Sequence, residues 1–252
     1  MNIAAYFNRI GYQGSIQKNY QTLRDIQKNH LLNVPFENLD VHQGKAIALS
    51  PDALFNKIVE QRRGGFCYEV NGLLAEVLKN LGFRVSLLSA QVARKQGEFG
   101  PDYDHLLLLV HLDEPWLVDV GFGESFPEPL RLRPQASAET SQDYQLMHDG
   151  SYWLVQSRKR GTWQTQFRFK PDAHPFPAFR EMCHYHQTSP ESKFTRHRLC
   201  SRATPEGRIT LVDQRLIITQ RGDRQETRLK SETEYHQALA DHFQISMLQA
   251  CG

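Results

Sequence analysis

The residue best suited to chemistry in this sequence is Cys67, in the stretch RRGGFCYEVN at residues 62–71. Gly64 and Gly65 predict a tight turn that leads into a helix, and Gly82 predicts the end of that helix. Cys67 then lies at or near a helix N-terminus, where unpaired N–H groups and the helix dipole favour a thiolate. We therefore interpret Cys67 as a candidate nucleophile in a surface cleft, with a small buried core cysteine as the alternative. The apolar residues that indicate one helix face are Val70, Leu73, Leu74, Val77, Leu78 and Leu81.

A cysteine nucleophile needs a base and a group that orients the base. Among the 11 histidines, His105 is the best placed, because it opens the apolar run LLLLV after an irregular segment. Asp119 is the candidate orienting acid, because a carboxylate inside the apolar segment WLVDV is costly to bury without a partner. Taken singly, each also fits a structural role, as a hydrogen-bonded core histidine or an aspartate bonded to loop N–H groups.

The turn between these two segments decides whether the two side chains can meet. A three-residue turn would place His105 and Asp119 on one face of a sheet, whereas an even-numbered turn would separate them. The sequence leaves this register open.

A second group of residues resembles a structural zinc site. The spacings are Cys-x2-His at residues 183–186 and His-x2-Cys at residues 197–200. However, we interpret residues 196–200 as a strand, in which residues three apart point to opposite faces. We therefore expect no metal.

Composition limits the class of protein. The 252 residues are 40% hydrophobic and 23% charged, and no apolar run approaches membrane-spanning length, which predicts a soluble globular protein. The N-terminus lacks the basic and apolar regions of a signal peptide, so we expect a cytoplasmic protein. The net charge of +2 comes from dispersed basic residues, which argues against nucleic acid as a partner. The four cysteines (Cys67, Cys183, Cys200 and Cys251) show no disulfide framework.

The hydrophobic pattern predicts helices first and strands later. Ser15 is the predicted N-cap of one helix, and Ser50 followed by Pro51 starts another. From Phe83 the period becomes strand-like, with strands at 105–112 and 116–120 and a hairpin turn at Asp149-Gly150.

The remaining residues predict a mixed tail. Residues 171–177 are proline-rich and are interpreted as a connector. Strands are predicted near 194–201, 209–212 and 216–219, followed by a helix whose capping box begins at Ser231. The order of elements predicts an α+β fold: helices, then an antiparallel β unit, then an α/β tail.

Several motifs together resemble the arylamine N-acetyltransferases. They are RRGGFCYEVN at 62–71, HLLL at 105–108 and VDVGFG at 118–123, with PFENLD at 35–40 and YHQTSP at 185–190. The resemblance runs in order from about residue 6 to about residue 245. It implies a helical bundle over residues 1–82, an antiparallel β-barrel over 83–175 and an α/β lid over 176–252.

The resemblance also implies a ping-pong acetyl transfer by a Cys-His-Asp triad. Cys67 would be the nucleophile, His105 the base and Asp119 the group that orients it. An acetyl group would pass from acetyl-CoA to Cys67 and then to an arylamine, arylhydrazine or N-hydroxyarylamine. The backbone N–H of Cys67 is one candidate donor to the oxyanion.

The family match places two phenylalanines at the acceptor pocket. Phe36 and Phe122 would form its walls, because flat aromatic faces suit an aniline ring. Ordinary core packing is the alternative for both.

The match also places five residues near CoA, between barrel and lid: Gly121, Gly123, Tyr185, Thr188 and Ser189. No glycine-rich nucleotide fingerprint is present, so dispersed arginine, lysine and hydroxyl groups are expected to hold the phosphates. Family members usually continue further after the last helix, so we expect the CoA and acceptor contacts of the lid to differ here.

Three other functions fit part of the sequence. Cysteine proteases and transglutaminases also use a Cys-His-Asp triad, which makes a hydrolase or transglutaminase-like enzyme one alternative. An amide synthase of the same fold, acting on an aromatic amine in natural-product biosynthesis, is closer to the family. The third alternative is a degenerate homologue that only binds small molecules. The intact triad argues against it, because a protein that only binds would not need these three residues. The sequence leaves the oligomeric state open.

Overall fold

A computed structural model describes residues 1–133, 143–159 and 161–246 of the chain. It has the predicted α+β architecture, with helices at the N-terminal end, a central antiparallel sheet and a mixed C-terminal region. The helices are α1 (Ile3–Ile10), α2 (Tyr20–Asn33), α3 (Leu39–His42), α4 (Pro51–Phe55), α5 (Cys67–Asn80), α6 (Arg180–Thr188), α7 (Lys193–Arg196) and α8 (Glu232–Phe243). No helix in the described ranges is long and apolar enough to cross a membrane.

Two helix starts test the capping predictions. Ser50 caps α4 as predicted, because its side chain accepts a hydrogen bond from Ala53 N, and the helix continues as a π-helical turn over Asn56–Glu60. Ser15 does not start a helix. Asn19 caps α2 instead, with its Oδ1 accepting from Thr22 N at 2.9 Å, so Ile16 falls outside the helix and is 57% exposed.

Seven antiparallel strands form the central sheet, which curls into a nearly closed barrel. Its strand order is β5-β4-β3-β2-β8-β7-β6. The strands are β2 (Arg84–Val92), β3 (His105–His111), β4 (Pro115–Val118), β5 (Leu130–Arg131), β6 (Tyr144–His148), β7 (Trp153–Lys159) and β8 (Thr162–His174). The residues predicted as a connector at 171–177 are partly strand, because β8 continues through Pro171 to His174.

The β3–β4 turn has three residues, since His111 pairs with Pro115. Leu108 pairs with Val118, so in this register Asp119 falls opposite Leu107, on the sheet face that His105 also occupies. The structure therefore settles the register that the sequence left open.

Five further antiparallel strands form the C-terminal sheet, in the order β1-β9-β10-β11-β12. These are β1 (Phe36–Glu37), β9 (Leu199–Thr204), β10 (Gly207–Val212), β11 (Arg215–Gln220) and β12 (Asp223–Arg228). The strand predicted over 194–201 is wrong in its first half, where α7 forms after Ser192 caps it by accepting from Phe194 N. The capping box at Ser231 is confirmed in part, because Ser231 accepts from Glu234 N at the start of α8.

The helical region and the two sheets share cores rather than packing as separate units. β1 lies within the first 82 residues but pairs with β9, so the N-terminal region contributes a strand to the C-terminal sheet. One buried cluster contains side chains from α5, β3 and the segment before α6, including Leu74, Leu108 and Phe179. The N-terminus of α5 is therefore fixed at the junction of all three regions.

Candidate active site

The nucleophile candidate Cys67 is the first residue of α5, as predicted. The two preceding glycines are required by close packing: a Cβ on Gly64 would lie 1.9 Å from Pro35 O, and one on Gly65 would lie 2.6 Å from Glu69 Cβ. Glu69 Oε2 in turn accepts from Phe66 N at 3.1 Å. Cys67 lines a cavity, as the prediction of a cleft position requires, but it is only 4% exposed and so is buried rather than on the surface.

A buried network of five charged side chains supports the start of α5. Lys57 Nζ lies 2.7 Å from Glu69 and 2.8 Å from Asp40, and Arg63 lies 2.8 Å from Glu37 and 3.0 Å from Asp40. Burial raises the pKa of Glu69 to about 7, although Lys57 opposes this increase. Because such ions are stable in a protein interior only when paired, the network fixes the loop before the nucleophile.

His105 and Asp119 form a direct pair, with His105 Nε2 2.8 Å from Asp119 Oδ2. This pairing leaves Nδ1 of the imidazole for Cys67, whose side chain is within hydrogen-bonding range of the ring. Burial acts to lower the pKa of His105, but the charge and hydrogen bond of Asp119, assisted by Cys67, raise it to about 10. The three predicted residues are therefore brought together with a protonated imidazole between a thiol and a carboxylate.

The sequence suggested that Asp119 lies inside a strand. In the structure it lies one residue beyond the end of β4. Its side chain is fully buried, and Oδ1 accepts hydrogen bonds from Gly121 N at 2.7 Å and from Asn71 Nδ2 at 2.9 Å. With His105 on the other oxygen, both carboxylate oxygens have hydrogen-bond partners.

Asn71 connects the three segments that carry the candidate triad and was not predicted as a site residue. It lies four residues after Cys67 on the same face of α5. Its Nδ2 also donates to Leu106 O at 2.7 Å, and its Oδ1 accepts from Val120 N at 3.0 Å. The i+4 spacing of a polar residue on an otherwise buried helix face was the sequence signal for this role.

The site opens into a cavity of about 670 Å³ between the barrel, α5 and the C-terminal region. Cys67, His105 and both predicted acceptor residues, Phe36 and Phe122, line it. The Phe122 ring lies 5.2 Å from the imidazole of His105, centroid to centroid. Phe36 is 8% exposed and lies 6.0 Å from Phe194. The two phenylalanines therefore face the same space as the nucleophile.

The five residues predicted near CoA divide into two groups. Gly121, Gly123 and Tyr185 line the cavity. A Cβ on Gly121 would lie 2.6 Å from Cys67 Cα, so this glycine permits the approach of the Asp119 loop to the nucleophile. Thr188 and Ser189 do not line it: Thr188 Oγ1 donates to His184 O and Ser189 Oγ accepts from Glu191 N, at the end of α6.

A second Asp–His pair also lines the cavity. His186 Nε2 lies 3.2 Å from Asp104 Oδ1, and His186 Nδ1 lies 3.0 Å from Ser192 Oγ. Asp104 precedes His105 in the chain but is paired with the other histidine. It therefore connects the start of β3 to the C-terminal region.

The two cysteines of the zinc-like spacing lie in different cores. Cys183 belongs to the cluster around α5, whereas Cys200 packs with Tyr235 and Leu239 of α8. The interpretation of residues 196–200 as strand is wrong for its first three residues, since Arg196 ends α7 and β9 starts at Leu199. In the described parts of the chain, no three His, Cys, Asp or Glu residues form a potential metal site. Cys251 lies outside the described residues.

A buried Cys-His-Asp constellation at a helix N-terminus is an arrangement for covalent acyl transfer. The comparison with known proteins agrees with this class. The sequence profile of the N-acetyltransferase family matches residues 19–250.

Individual relatives are similar over most of their lengths. The arylamine N-acetyltransferase of Mycobacterium tuberculosis is 34% identical, over 98% of this chain and 90% of that protein. The Salmonella typhimurium "arylamine N-acetyltransferase / N-hydroxyarylamine O-acetyltransferase" is 36% identical, over 83% and 76%. The Mycobacterium marinum arylamine N-acetyltransferase, solved in complex with CoA, superposes with a TM-score of 0.90 at 32% identity, over 97% and 93%.

The chain therefore belongs to the arylamine N-acetyltransferase family and is an acyltransferase. The resemblance and the α+β fold predicted from the sequence are both confirmed.

Proposed function

We propose that this protein transfers an acetyl group from acetyl-CoA to aromatic amines through an acetyl-Cys67 intermediate. The observation that carries the proposal is the linked set of Cys67, His105 and Asp119, of which Cys67 and His105 line one cavity and Asp119 is bonded to His105 behind them. Each member has the partner that its role requires: a base for the thiol, and a carboxylate for the base.

In the first half-reaction the Cys67 thiolate attacks the thioester carbonyl of acetyl-CoA. The C–S bond to CoA breaks, and the leaving thiolate takes the proton from the His105 imidazolium. The increase of the His105 pKa to about 10 supports this step, because it keeps the ring protonated beside the thiolate at neutral pH. The products are acetyl-Cys67, neutral His105 and CoA.

In the second half-reaction the amine attacks the acetyl-Cys67 carbonyl and His105 takes the proton that the nitrogen loses. The Cys67 thiolate leaves, which regenerates the thiolate–imidazolium pair. Asp119 holds the ring in orientation and stabilises its charge in both steps. The oxyanion is assigned to the backbone N–H of Cys67, since the first N–H groups of a helix have no intrahelical acceptor.

Exposed cations at the rim of the cavity suit the phosphates of CoA. Arg94, Lys159, Lys193 and Arg196 all line the cavity and are exposed. Guanidinium and ammonium groups bind phosphate oxygens through charge-assisted hydrogen bonds. Gly121, Gly123 and Tyr185 would contact the cofactor nearer the thioester, and Thr188 and Ser189 would act from the end of α6.

The acceptor is assigned to the aromatic part of the cavity. Phe36 and Phe122 offer ring faces to an arylamine, an arylhydrazine or an N-hydroxyarylamine. The name of the Salmonella relative, which includes O-acetylation, supports the last of these classes. The three described cysteines are free thiols, which supports action in a reducing compartment, and we assign that compartment to the cytoplasm.

Incubation with acetyl-CoA in the absence of an acceptor tests the intermediate. Mass spectrometry of the intact protein should show one added acetyl group, and peptide mapping should locate it on Cys67. Adding aniline-type acceptors should then remove the group and yield an equal amount of N-acetylated product.

The matched control is Cys67→Ala, which should take up no acetyl group, with Cys183→Ala as a thiol substitution away from the triad. Because Cys67 is buried, circular dichroism should confirm that the alanine variant is folded. Acetylation on lysine alone, or none, would contradict the proposal. Rapid loss of the acetyl group to water would indicate a hydrolase instead.

A further inference from the structure

Asp104, His186 and Ser192 form a chain of hydrogen bonds in the wall of the cavity, outside the triad. His186 Nε2 lies 3.2 Å from Asp104 Oδ1, and His186 Nδ1 lies 3.0 Å from Ser192 Oγ. Ser192 Oγ in turn accepts from Phe194 N at 3.2 Å and so caps α7. All four residues line the cavity. The chain therefore runs from the residue before β3 to the start of α7.

The donors and acceptors of this chain follow one direction. A carboxylate only accepts hydrogen bonds, so we assign the proton of the ring to His186 Nε2, which donates to Asp104. In that tautomer Nδ1 accepts from the hydroxyl of Ser192, whose oxygen is left to accept from Phe194 N. Each group therefore has the partner it needs, and the loss of one link leaves a neighbouring polar group unpaired.

The chain is buried in the wall rather than lying on the surface. The side chains of His186 and Asp104 are 6% and 9% exposed, and Ser192 is 3% exposed. Gly100 leaves room for the carboxylate, because a Cβ there would lie 2.1 Å from Asp104 Oδ2. The His186 ring stacks on Tyr68 at 6.2 Å, centroid to centroid. Buried polar groups are stable when their hydrogen bonds are made, so the site favours this one arrangement.

The segment at the far end of the chain carries part of the cavity rim. Lys193 and Arg196 of α7 are exposed and line the cavity, and they are two of the four cations assigned to the phosphates of CoA. α7 is one turn of four residues, and so short a helix has little stability of its own. The position of these two cations therefore depends on contacts from outside the turn.

The two ends of α7 are held by different parts of the protein. The amide of Asn38 holds the C-terminal end, because its Nδ2 donates to Phe194 O and to His197 O at 2.8 Å each. The hydrogen-bond chain from Asp104 holds the N-terminal end. Asp104 is the residue before His105, so the start of α7 is fixed to the strand that carries the base of the triad.

We propose that Asp104, His186 and Ser192 are positioning residues for acetyl-CoA. They hold α7 so that its two cations meet the phosphates while the thioester lies at Cys67. This inference rests on the proposed function, which places acetyl-CoA in the cavity. Because the chain acts through α7, it controls the affinity for CoA rather than the chemical step.

Calorimetric binding of CoA to wild type, Asp104→Ala and Asp104→Asn tests this role without acetyl transfer. We expect the Kd to rise about 5- to 30-fold in the alanine variant, the range for the loss of one buried hydrogen bond. Asp104→Asn keeps an acceptor for His186 and should stay within about threefold of wild type. Ser192→Ala breaks the chain at its other end and should weaken binding as Asp104→Ala does. Circular dichroism should confirm that each variant is folded.

Tyr103→Phe is the matched control. It removes a hydrogen bond from the same loop, between the Tyr103 hydroxyl and His174 Nδ1 at 3.2 Å, but this bond stays within the barrel. The Kd for CoA should be that of wild type. An increase as large as that of Asp104→Ala would assign the effect to the loop in general and overturn the proposal, as would wild-type binding in both Asp104→Ala and Ser192→Ala.

Kinetics with two acetyl donors separate positioning of CoA from an effect on the triad. In Asp104→Ala the KM for acetyl-CoA should rise with the Kd, and kcat should change by less than about fivefold. The KM for 4-nitrophenyl acetate, which carries no phosphate, should stay unchanged. A fall in kcat with an unchanged KM, or equal increases in KM for both donors, would overturn the proposal.

A double-mutant cycle tests whether the chain acts through α7. In a Lys193→Gln/Arg196→Gln background the cations are already lost, so Asp104→Ala should raise the Kd for CoA by less than about twofold. The full increase in that background would show that Asp104 acts by another route, contrary to the proposal.

The two proposals can fail separately. If Cys67 takes up no acetyl group but Asp104→Ala weakens CoA binding as expected, the proposed function fails and the positioning role stands. If Cys67 is acetylated but the variants bind CoA as wild type does, the reverse holds.

Discussion

Two Asp–His pairs line or border the same cavity, yet their surroundings differ. His105 and Asp119 are joined at 2.8 Å, and Asp119 receives two further hydrogen bonds, from Gly121 N and Asn71. His186 and Asp104 are 3.2 Å apart, and the second ring nitrogen of His186 meets Ser192 Oγ rather than a thiol. Of the two pairs, it is His105–Asp119 that lies beside Cys67, the candidate nucleophile.

The difference shows that residue types and proximity in sequence do not identify a catalytic pair. Asp104 is adjacent to His105 in the chain, but it lies in the bend before β3 and pairs with His186 instead. The hydrogen bonds around Asp119 hold its carboxylate beside His105, whose pKa it raises, whereas Asp104 connects the start of β3 to α6. We therefore expect the two pairs to respond differently to the same substitution.

The largest expected effect is that of Asp119→Asn. The substitution keeps the size of the side chain but removes the charge that stabilises the imidazolium. By analogy with the serine-protease triad, kcat/KM for acetyl transfer should fall by about four orders of magnitude. Steady-state kinetics with one arylamine measure this, and a loss of less than about tenfold would remove Asp119 from the triad.

Asn71→Ala should have the next largest effect. It removes a donor from Asp119 and leaves the Val120 N–H without its acceptor, which costs about 1–3 kcal/mol of unfolding free energy. A similar loss in the transition state would lower kcat/KM by about 10- to 100-fold. Urea unfolding and kinetics should be measured together, and Asn80→Ala, at the exposed end of α5, is the control. Normal activity in the alanine variant would show that Asn71 does not position the triad.

The His105–Asp119 pair should also make the unfolding free energy depend on pH. The pKa of His105 is raised to about 10 in the folded protein, compared with about 6.5 in an unfolded chain. Its contribution to the unfolding free energy is therefore fully present below about pH 6.5 and is lost as pH rises through about 10.

Urea unfolding of wild type and Asp119→Asn at several pH values between 6 and 10 measures this dependence. The stability difference between the two proteins should shrink steadily as pH rises. A constant difference across the range would mean that Asp119 does not control the protonation of His105.

The smallest expected effect is that of Asp104→Asn. The amide keeps an acceptor for His186 but removes the charge, at a pair that does not contact Cys67. We expect kcat to change by less than about fivefold, which corresponds to less than about 1 kcal/mol. If Asp104→Asn is inactive and Asp119→Asn is active, the assignment of the two pairs must be reversed.

Local chemistry in the sequence was enough to predict several features of this protein. The α5 helix could be read from its apolar spacing, and the start of α4 from Ser50 and Pro51, because caps and helix faces depend on neighbours in the chain. The motifs around Cys67, His105 and Asp119 were sufficient for the family. Ser15 failed as a cap because Asn19 offers a competing acceptor closer to the helix.

Tertiary structure decided the features that depend on contacts between distant segments. The three-residue turn fixed His105 and Asp119 on one face, which periodicity could not do. Asn71 gained its role only because α5, β3 and the Asp119 loop converge on its amide. The burial of Cys67, the separation of Cys183 from Cys200 and the place of Arg208 in the lining of the cavity likewise follow from packing. Local sequence sets which groups a segment carries, and the shared core sets which of those groups meet.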